Sequence, residues 1–172
     1  MFGFPYPVDP SLSFVLAVSS TAPSLPIAAR IFLAVLAGAL ATLAMDLVMA
    51  RVGEGETPPR VASGVLTETR VDDAPRRLAA VVHYVAGALS GPLFLWLLLV
   101  AEGLLGTGLL AALAATIAFY SLMVGFFVLV VLPRSQGTSR ERRLAIGRAW
   151  AIDAAGYLVV LVPLVVAASV VV

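Results

Sequence analysis

An all-α bundle of four membrane-spanning helices is the fold class this sequence predicts, and three observations predict it. Apolar residues make up 61% of the 172 positions and charged residues only 12%, about half the charged share of an ordinary soluble domain. Four apolar segments each approach or exceed the roughly 20 helical residues needed to cross a hydrocarbon layer. Arginine is concentrated in two of the three connections between them. A water-soluble fold of this size could not hide so much apolar surface, whereas a bilayer does.

The length predicts one domain, residues 1–172. A formal net charge of +1 provides no field to gather nucleic acid, so no nucleic-acid partner is expected. The absence of cysteine removes disulfides, thiol catalysis and thiolate metal sites. All 11 basic residues are arginine, which reads as genome composition more than mechanism.

Residues 1–26 read as an irregular tail on the outer face. Pro5, Pro7, Pro10, Pro23 and Pro26 interrupt regular structure, and the apolar run Ser11–Ser20 is too short to span and has no basic residue before it. One short helix at Leu12–Val18 fits there. The first span is expected over 27–50, with Arg30 close enough to its start to snorkel. The connection Arg51–Arg77 follows, with five acidic and five basic residues. Thr57-Pro58-Pro59 is a helix start, and Val61, Ala62, Val65 and Leu66 then share one face. This predicts a short amphipathic helix lying on the membrane surface in the first cytoplasmic loop.

Asp72 or Asp73 is the expected cap of the second membrane helix, with Pro75 in its first turn. The second span is expected over 78–101, kinked near Ala88 by Pro92. Glu102, Gly103 and Gly106 to Gly108 form a turn. The third span, 109–132, carries no charge and ends at Pro133. Thr138 and Glu141 have capping-box spacing, which starts the last helix near Ser139. The fourth span is 149–170, with Trp150 at an interface.

Ten of the eleven arginines fall in the connections 51–77 and 134–148. Positive residues stay on the cytoplasmic side, which places both termini and the short middle turn outside; the plasma or inner membrane is the expected location.

Three ionisable side chains lie inside spans: Asp46, His83 and Asp153. Charge at membrane depth costs about 2.5–3.5 kcal/mol on insertion scales, so such groups face the bundle interior or water. Each is five or six residues from a loop arginine, roughly 8 Å inside the boundary by helical rise. Their faces agree as well. His83 shares a stripe with Gly87, Ser90 and Gly91; Asp46 shares one with Gly38 and Thr42; Asp153 shares one with Gly156 and Tyr157. Small residues mark where membrane helices approach closely. The expectation is an interior Asp46–His83–Asp153 cluster with Thr42, Tyr84 and Tyr157 as hydrogen-bond partners. Gly38, Gly87, Gly91 and Gly156 are the expected packing positions.

Three readings of that cluster stay open. It pins three helices together, it serves protons, a cation or a small polar ligand, or its members reach the headgroups separately. No ligand spacing supports a metal site, and a sole histidine gives bis-histidine haem ligation only in a dimer. No cofactor is expected. Gly87 and Gly91 are weak evidence for a homo-oligomer. Arg140, Arg142 and Arg143 read first as a topology signal, with anionic lipid as a second partner besides the bilayer itself. No phosphate loop, nucleophile elbow or zinc-binding helix signature is present.

Gly38 through Met45-Asp46, Thr57-Pro58-Pro59, and His83 with Gly87 and Gly91 resemble the small, poorly characterised membrane proteins related to YagU. The resemblance covers about a third of the chain. Arg148-Ala149-Trp150, Asp153 and Gly156-Tyr157 agree less closely. It implies a multi-helix inner-membrane protein and carries over no catalytic residue. The small size, short outer loops and absence of catalytic strings make a non-enzymatic structural or accessory component, packing with itself or a larger complex, the first expectation. The second is a proton- or cation-coupled transporter component, and the third is an intramembrane enzyme acting on lipid.

Overall fold

A computed structural model describes residues 25–170, and the expectations for the tail, including the helix at Leu12–Val18, lie outside them. The described residues form helices joined by turns, with no β-strand among them. Five helices are α1 (Ile27–Met49), α2 (Thr57–Thr67), α3 (Arg76–Leu105), α4 (Leu109–Phe126) and α5 (Arg140–Val170). Four helical stretches, Ile27–Met49, Arg76–Leu105, Leu109–Arg134 and Arg140–Ser169, are long and apolar enough to cross a membrane.

The four long helices form a ring. α1 packs along α3 and α5, and α4 packs against the same two from the other side. α3 and α5 touch only slightly across one diagonal. The core is built from small residues of α1 (Ala34, Ala37, Ala41) against larger ones such as Phe94, Leu98, Phe119 and Leu161. Phe94 and Phe119 meet with ring centroids 5.7 Å apart. Outward-facing positions are large and apolar, including Phe32, Leu40, Leu47, Trp96, Leu129 and Val159.

Several element ends differ from the sequence expectation. α3 starts at Arg76, with Pro75 at its cap position and no side-chain cap. Asp72 and Asp73 sit instead in a one-turn 3-10 helix, Val71–Asp73, because Asp72 is drawn to Arg142. At its far end α3 runs on through Glu102 and Gly103 to Leu105. It stops only where Gly106 takes φ +80°, a conformation that favours glycine. α5 begins at Arg140 with Ser139 as its cap, whose Oγ accepts the Arg142 backbone N–H at 3.2 Å; Thr138 pairs with Ser135 and Arg143. Pro92 lies within continuous helix.

α4 does not simply end at Pro133. It passes into a π-helical segment, Phe127–Val131, and then a 3-10 turn, Leu132–Arg134. A π turn widens the helix and alters which carbonyls are bonded.

The helix expected in the first connection is α2. It is seated on its neighbours, with Pro58, Val61, Ser63 and Gly64 buried. Val61 joins Val71, Phe127, Leu132 and Ile146 in a second small core. The two arginine-rich connections lie on one side of the bundle because they bind each other. Arg142 donates Nε to Glu54 at 2.9 Å and closes on both Asp72 oxygens at 3.0 Å. The Val71 N–H also reaches the Gln136 carbonyl at 3.3 Å.

Candidate functional site

Asp46 sits one turn before the end of α1, and His83 sits two turns into α3. The close contact of those helices brings the two together. His83 Nε2 meets Asp46 Oδ1 at 2.8 Å, and the Tyr84 hydroxyl donates to Asp46 Oδ2 at 2.7 Å. The His83 side chain is 9% exposed and that of Asp46 32%. The His83 and Tyr84 rings meet edge to face at 5.2 Å.

Glycines permit this approach. A Cβ at Gly91 would stand 1.8 Å from the Ala34 carbonyl oxygen, and one at Gly87 would stand 1.9 Å from Thr42 Oγ1. A Cβ at Gly38 would lie 2.7 Å from the carbonyl oxygens of both Gly87 and Ala88. Pro92 has no N–H to offer the Ala88 carbonyl, so that oxygen lies against Gly38 without its helical bond. Thr42 is fully buried and donates to its own helix at the Gly38 carbonyl, 2.8 Å away. Tyr157 is also buried, and donates from α5 to the Gly87 carbonyl at 2.7 Å. Gly156 packs on Val48 of α1.

Asp153 is a different case. It is fully buried, and neither carboxyl oxygen has a hydrogen-bond partner among the described residues. No hydrogen bond links it to Asp46 or His83. The reason is the ring order: α3 and α5 lie across a diagonal, so His83 turns to α1 and not to α5. The three expected members are therefore one pair plus one isolated acid. Among the described residues no group of three or more His, Asp or Glu is placed to hold a metal ion.

The structure adds a feature with no clear sequence signal. A pocket of about 450 Å³ lies inside the ring, between α3 and α4. Thr42, His83, Gly87, Ser90, Trp150 and Tyr157 contribute to it, but most of its wall is apolar. The π segment forms part of that wall through Phe127 and Val131. There the Met123 carbonyl accepts the Trp150 indole N–H at 3.1 Å, and the Phe127 and Trp150 rings stack 4.8 Å apart. Trp150 thus faces inward rather than marking an interface. Pro59 and Ala62 of α2 close the end nearest the arginine-rich connections.

Electrostatics outside the spans centre on Arg142. Burial works against the Glu54 carboxylate, but hydrogen bonds from Thr57 and Arg142 outweigh it and hold its pKa below the ordinary value. The Arg142 hydrogen bonds likewise lower Asp72, and the two carboxylates hold the guanidinium charged well above its usual range. Arg143 is spent on Thr138 and the Ser135 carbonyl. Of the three arginines expected to meet anionic lipid, Arg140 is the exposed one.

Comparison of the chain with protein-family models, with curated proteins and with solved structures finds no match.

Proposed function

We propose that this chain is a multi-pass protein of the plasma or inner membrane that works by packing and binding, not by catalysis. On this reading it is an accessory component that associates with itself or with a larger membrane complex. One observation carries the reading: the Asp46 carboxylate of α1 is fully engaged by His83 and Tyr84 of α3. Both Asp46 oxygens are used, one by each ring-bearing neighbour, and the set ties α1 to α3. Such polar contacts inside lipid act as glue between helices. The arginine-rich connections lie in the cytoplasm, the Gly106–Gly108 turn and both termini lie outside, and α2 lies at the cytoplasmic membrane surface. The resemblance to the YagU-related proteins supports an inner-membrane location.

Asp153 favours a second reading, a proton- or cation-coupled transport component. A buried carboxyl without a partner is costly, and inside a span it marks an ion pathway by default.

Reconstitution into liposomes separates the two. On the first reading, wild-type protein moves no protons or monovalent cations, and cross-linking in native membranes gives a discrete assembly larger than one chain. Flux that disappears in Asp153→Asn or His83→Ala, with both variants still folded, would replace the first reading by the second. A monomer without flux ends both. Protease access to tags at both termini from outside tests the topology, and protected tags would overturn it.

A further inference from the structure

The pocket between α3 and α4 opens sideways. Its rim carries Ala86 and Leu93 from α3 and Leu122 and Phe126 from α4, all exposed residues on the outer surface of the ring. Its inner wall carries buried residues, among them Met45, Phe119 and Tyr157. A cavity with that shape, on helices that span a bilayer, is filled from the lipid phase. Its volume of about 450 Å³ falls in the range of small-molecule pockets.

His83 lies nearest α2, whose Pro59 and Ala62 line the pocket there, and Ser90 lies seven residues further along α3, about 10 Å of helix. Thr42, Trp150 and Tyr157 spend their donors on backbone carbonyls, and most of the remaining wall is apolar. An occupant that meets His83 therefore has its polar head at the α2 end and a hydrocarbon body along the apolar wall. No arginine, aspartate or glutamate lines the pocket, so a phosphate or carboxylate head would enter without a counter-charge, which is costly at this depth.

His83 sets the head's chemistry. Its Nε2 is taken by Asp46, and its Nδ1 has no hydrogen-bond partner among the described residues. A carboxylate only accepts, so Nε2 carries a hydrogen, and Nδ1 accepts or donates with the charge of the ring. A hydroxyl, which both donates and accepts, meets it in either state. We propose that this pocket binds an uncharged long-chain alcohol drawn from the bilayer, its hydroxyl hydrogen-bonded to His83 Nδ1 and its chain lying between α3 and α4. Asp46 acts as the positioning residue that orients the imidazole.

The proposal rests on the membrane location inferred above, and tryptophan fluorescence tests the two separately. The chain has two tryptophans. Trp96 is exposed on the outer surface, and Trp150 lines the pocket. In phosphatidylcholine vesicles the Trp96→Phe variant leaves Trp150 alone. Dibromo-octadecanol should quench it saturably at low mole fraction. Dibromo-octadecane, without the hydroxyl, should need about three- to tenfold more for half-saturation, the worth of one hydrogen bond. Ala86→Phe, which fills the rim from an exposed position, should remove the saturable phase.

Absence of saturable quenching, or quenching untouched by Ala86→Phe, would overturn the pocket as a binding site. Equal half-saturation by the alcohol and the alkane would overturn the contact with His83. Brominated phosphatidylcholine supplies the separate check. The difference between wild type and Trp96→Phe reports Trp96, and a Trp96 that is not quenched means the membrane placement itself has failed.

Discussion

Tyr157 of α5 donates its hydroxyl to the Gly87 carbonyl of α3 at 2.7 Å, and that same carbonyl oxygen lies against Gly38 of α1. Three helices therefore meet at one peptide group. α3 and α5 otherwise barely touch, so this bond is a main link across the bundle's diagonal. Tyr157→Phe keeps the ring and removes the link. Side-chain hydrogen bonds between membrane helices average about 0.6 kcal/mol and reach about 1.7 kcal/mol. Full burial of Tyr157 places this one toward the upper end, so a loss of about 1–1.5 kcal/mol is expected on reversible unfolding in mixed micelles. A loss under 0.3 kcal/mol would show that the diagonal is held by packing alone.

The line of glycines between α1 and α3 makes a sharper prediction. Gly91→Ala drives a methyl to 1.8 Å from the Ala34 backbone oxygen, and backbone cannot swing aside as a side chain can. The helices must separate, so the cost exceeds the usual 1–3 kcal/mol of overpacking, and the Asp46–His83 bond opens with it. Gly103→Ala is the control. Nothing lies within 4 Å of its Cβ, it sits inside α3, and alanine there gains up to about 1 kcal/mol of helix propensity. Opposite signs for the two substitutions, read by thermal unfolding in detergent, are the expected result.

Those glycines also show how far the sequence could be read. Spacing along α3 puts His83, Gly87 and Gly91 on one stripe whatever the partner. The partner was not legible, because helices apolar on every side carry no moment to say which face turns inward. Asp153 shows the consequence. Its depth matches that of His83, but the ring order puts α1 between their helices. The pocket was hidden for a related reason: Phe127–Val131 is an ordinary apolar run, and nothing in it distinguishes a π turn from an α turn. The link between Arg142 and its carboxylates joins positions 88 and 70 residues apart, beyond the reach of any local pattern. The long apolar segments themselves, by contrast, announce their helices through length and composition.

Arg142 holds the two long connections together, and its loss should free them. Arg142→Ala leaves Asp72 without its donor and Glu54 with Thr57 alone. The Arg142–Glu54 pair is partly exposed, with side chains 31% and 28% accessible, so about 0.5–1 kcal/mol is expected from it. The clearer readout is protease nicking between Arg51 and Pro75, which should become faster in the variant at neutral pH.

The same clamp gives a pH dependence with a definite sign. Glu54 and Asp72 both have folded pKa values below their ordinary ones. A lowered carboxylate pKa contributes stability that is fully present above the unfolded value, about 4, and is lost as pH falls through the folded value. Nicking of wild type should therefore stay constant from pH 8 to about pH 5 and rise below pH 4. In Arg142→Ala the acid step should be smaller. An acid step of equal size in both proteins would assign it to other carboxylates.

Asp153 yields the prediction that bears most directly on function. A fully buried carboxyl with no partner among the described residues carries an uncompensated desolvation penalty of about 1–3 kcal/mol. Removing the polar group should recover part of it. Asp153→Leu, which fills the site with hydrocarbon, is expected to stabilise the bundle by about 1 kcal/mol, less any strain from its larger branch. Asp153→Asn keeps the shape and the unmet polarity, and should lie within about 0.5 kcal/mol of wild type. Most substitutions of a buried residue destabilise, so a gain here would identify an acid kept at a cost to the fold. A destabilisation above 2 kcal/mol in both variants would mean instead that Asp153 holds a partner. Comparing liposome flux in Asp153→Leu with its stability then distinguishes the two readings. Higher stability with flux abolished is the signature of an acid retained for transport, and higher stability with no flux in either protein leaves Asp153 outside the protein's activity.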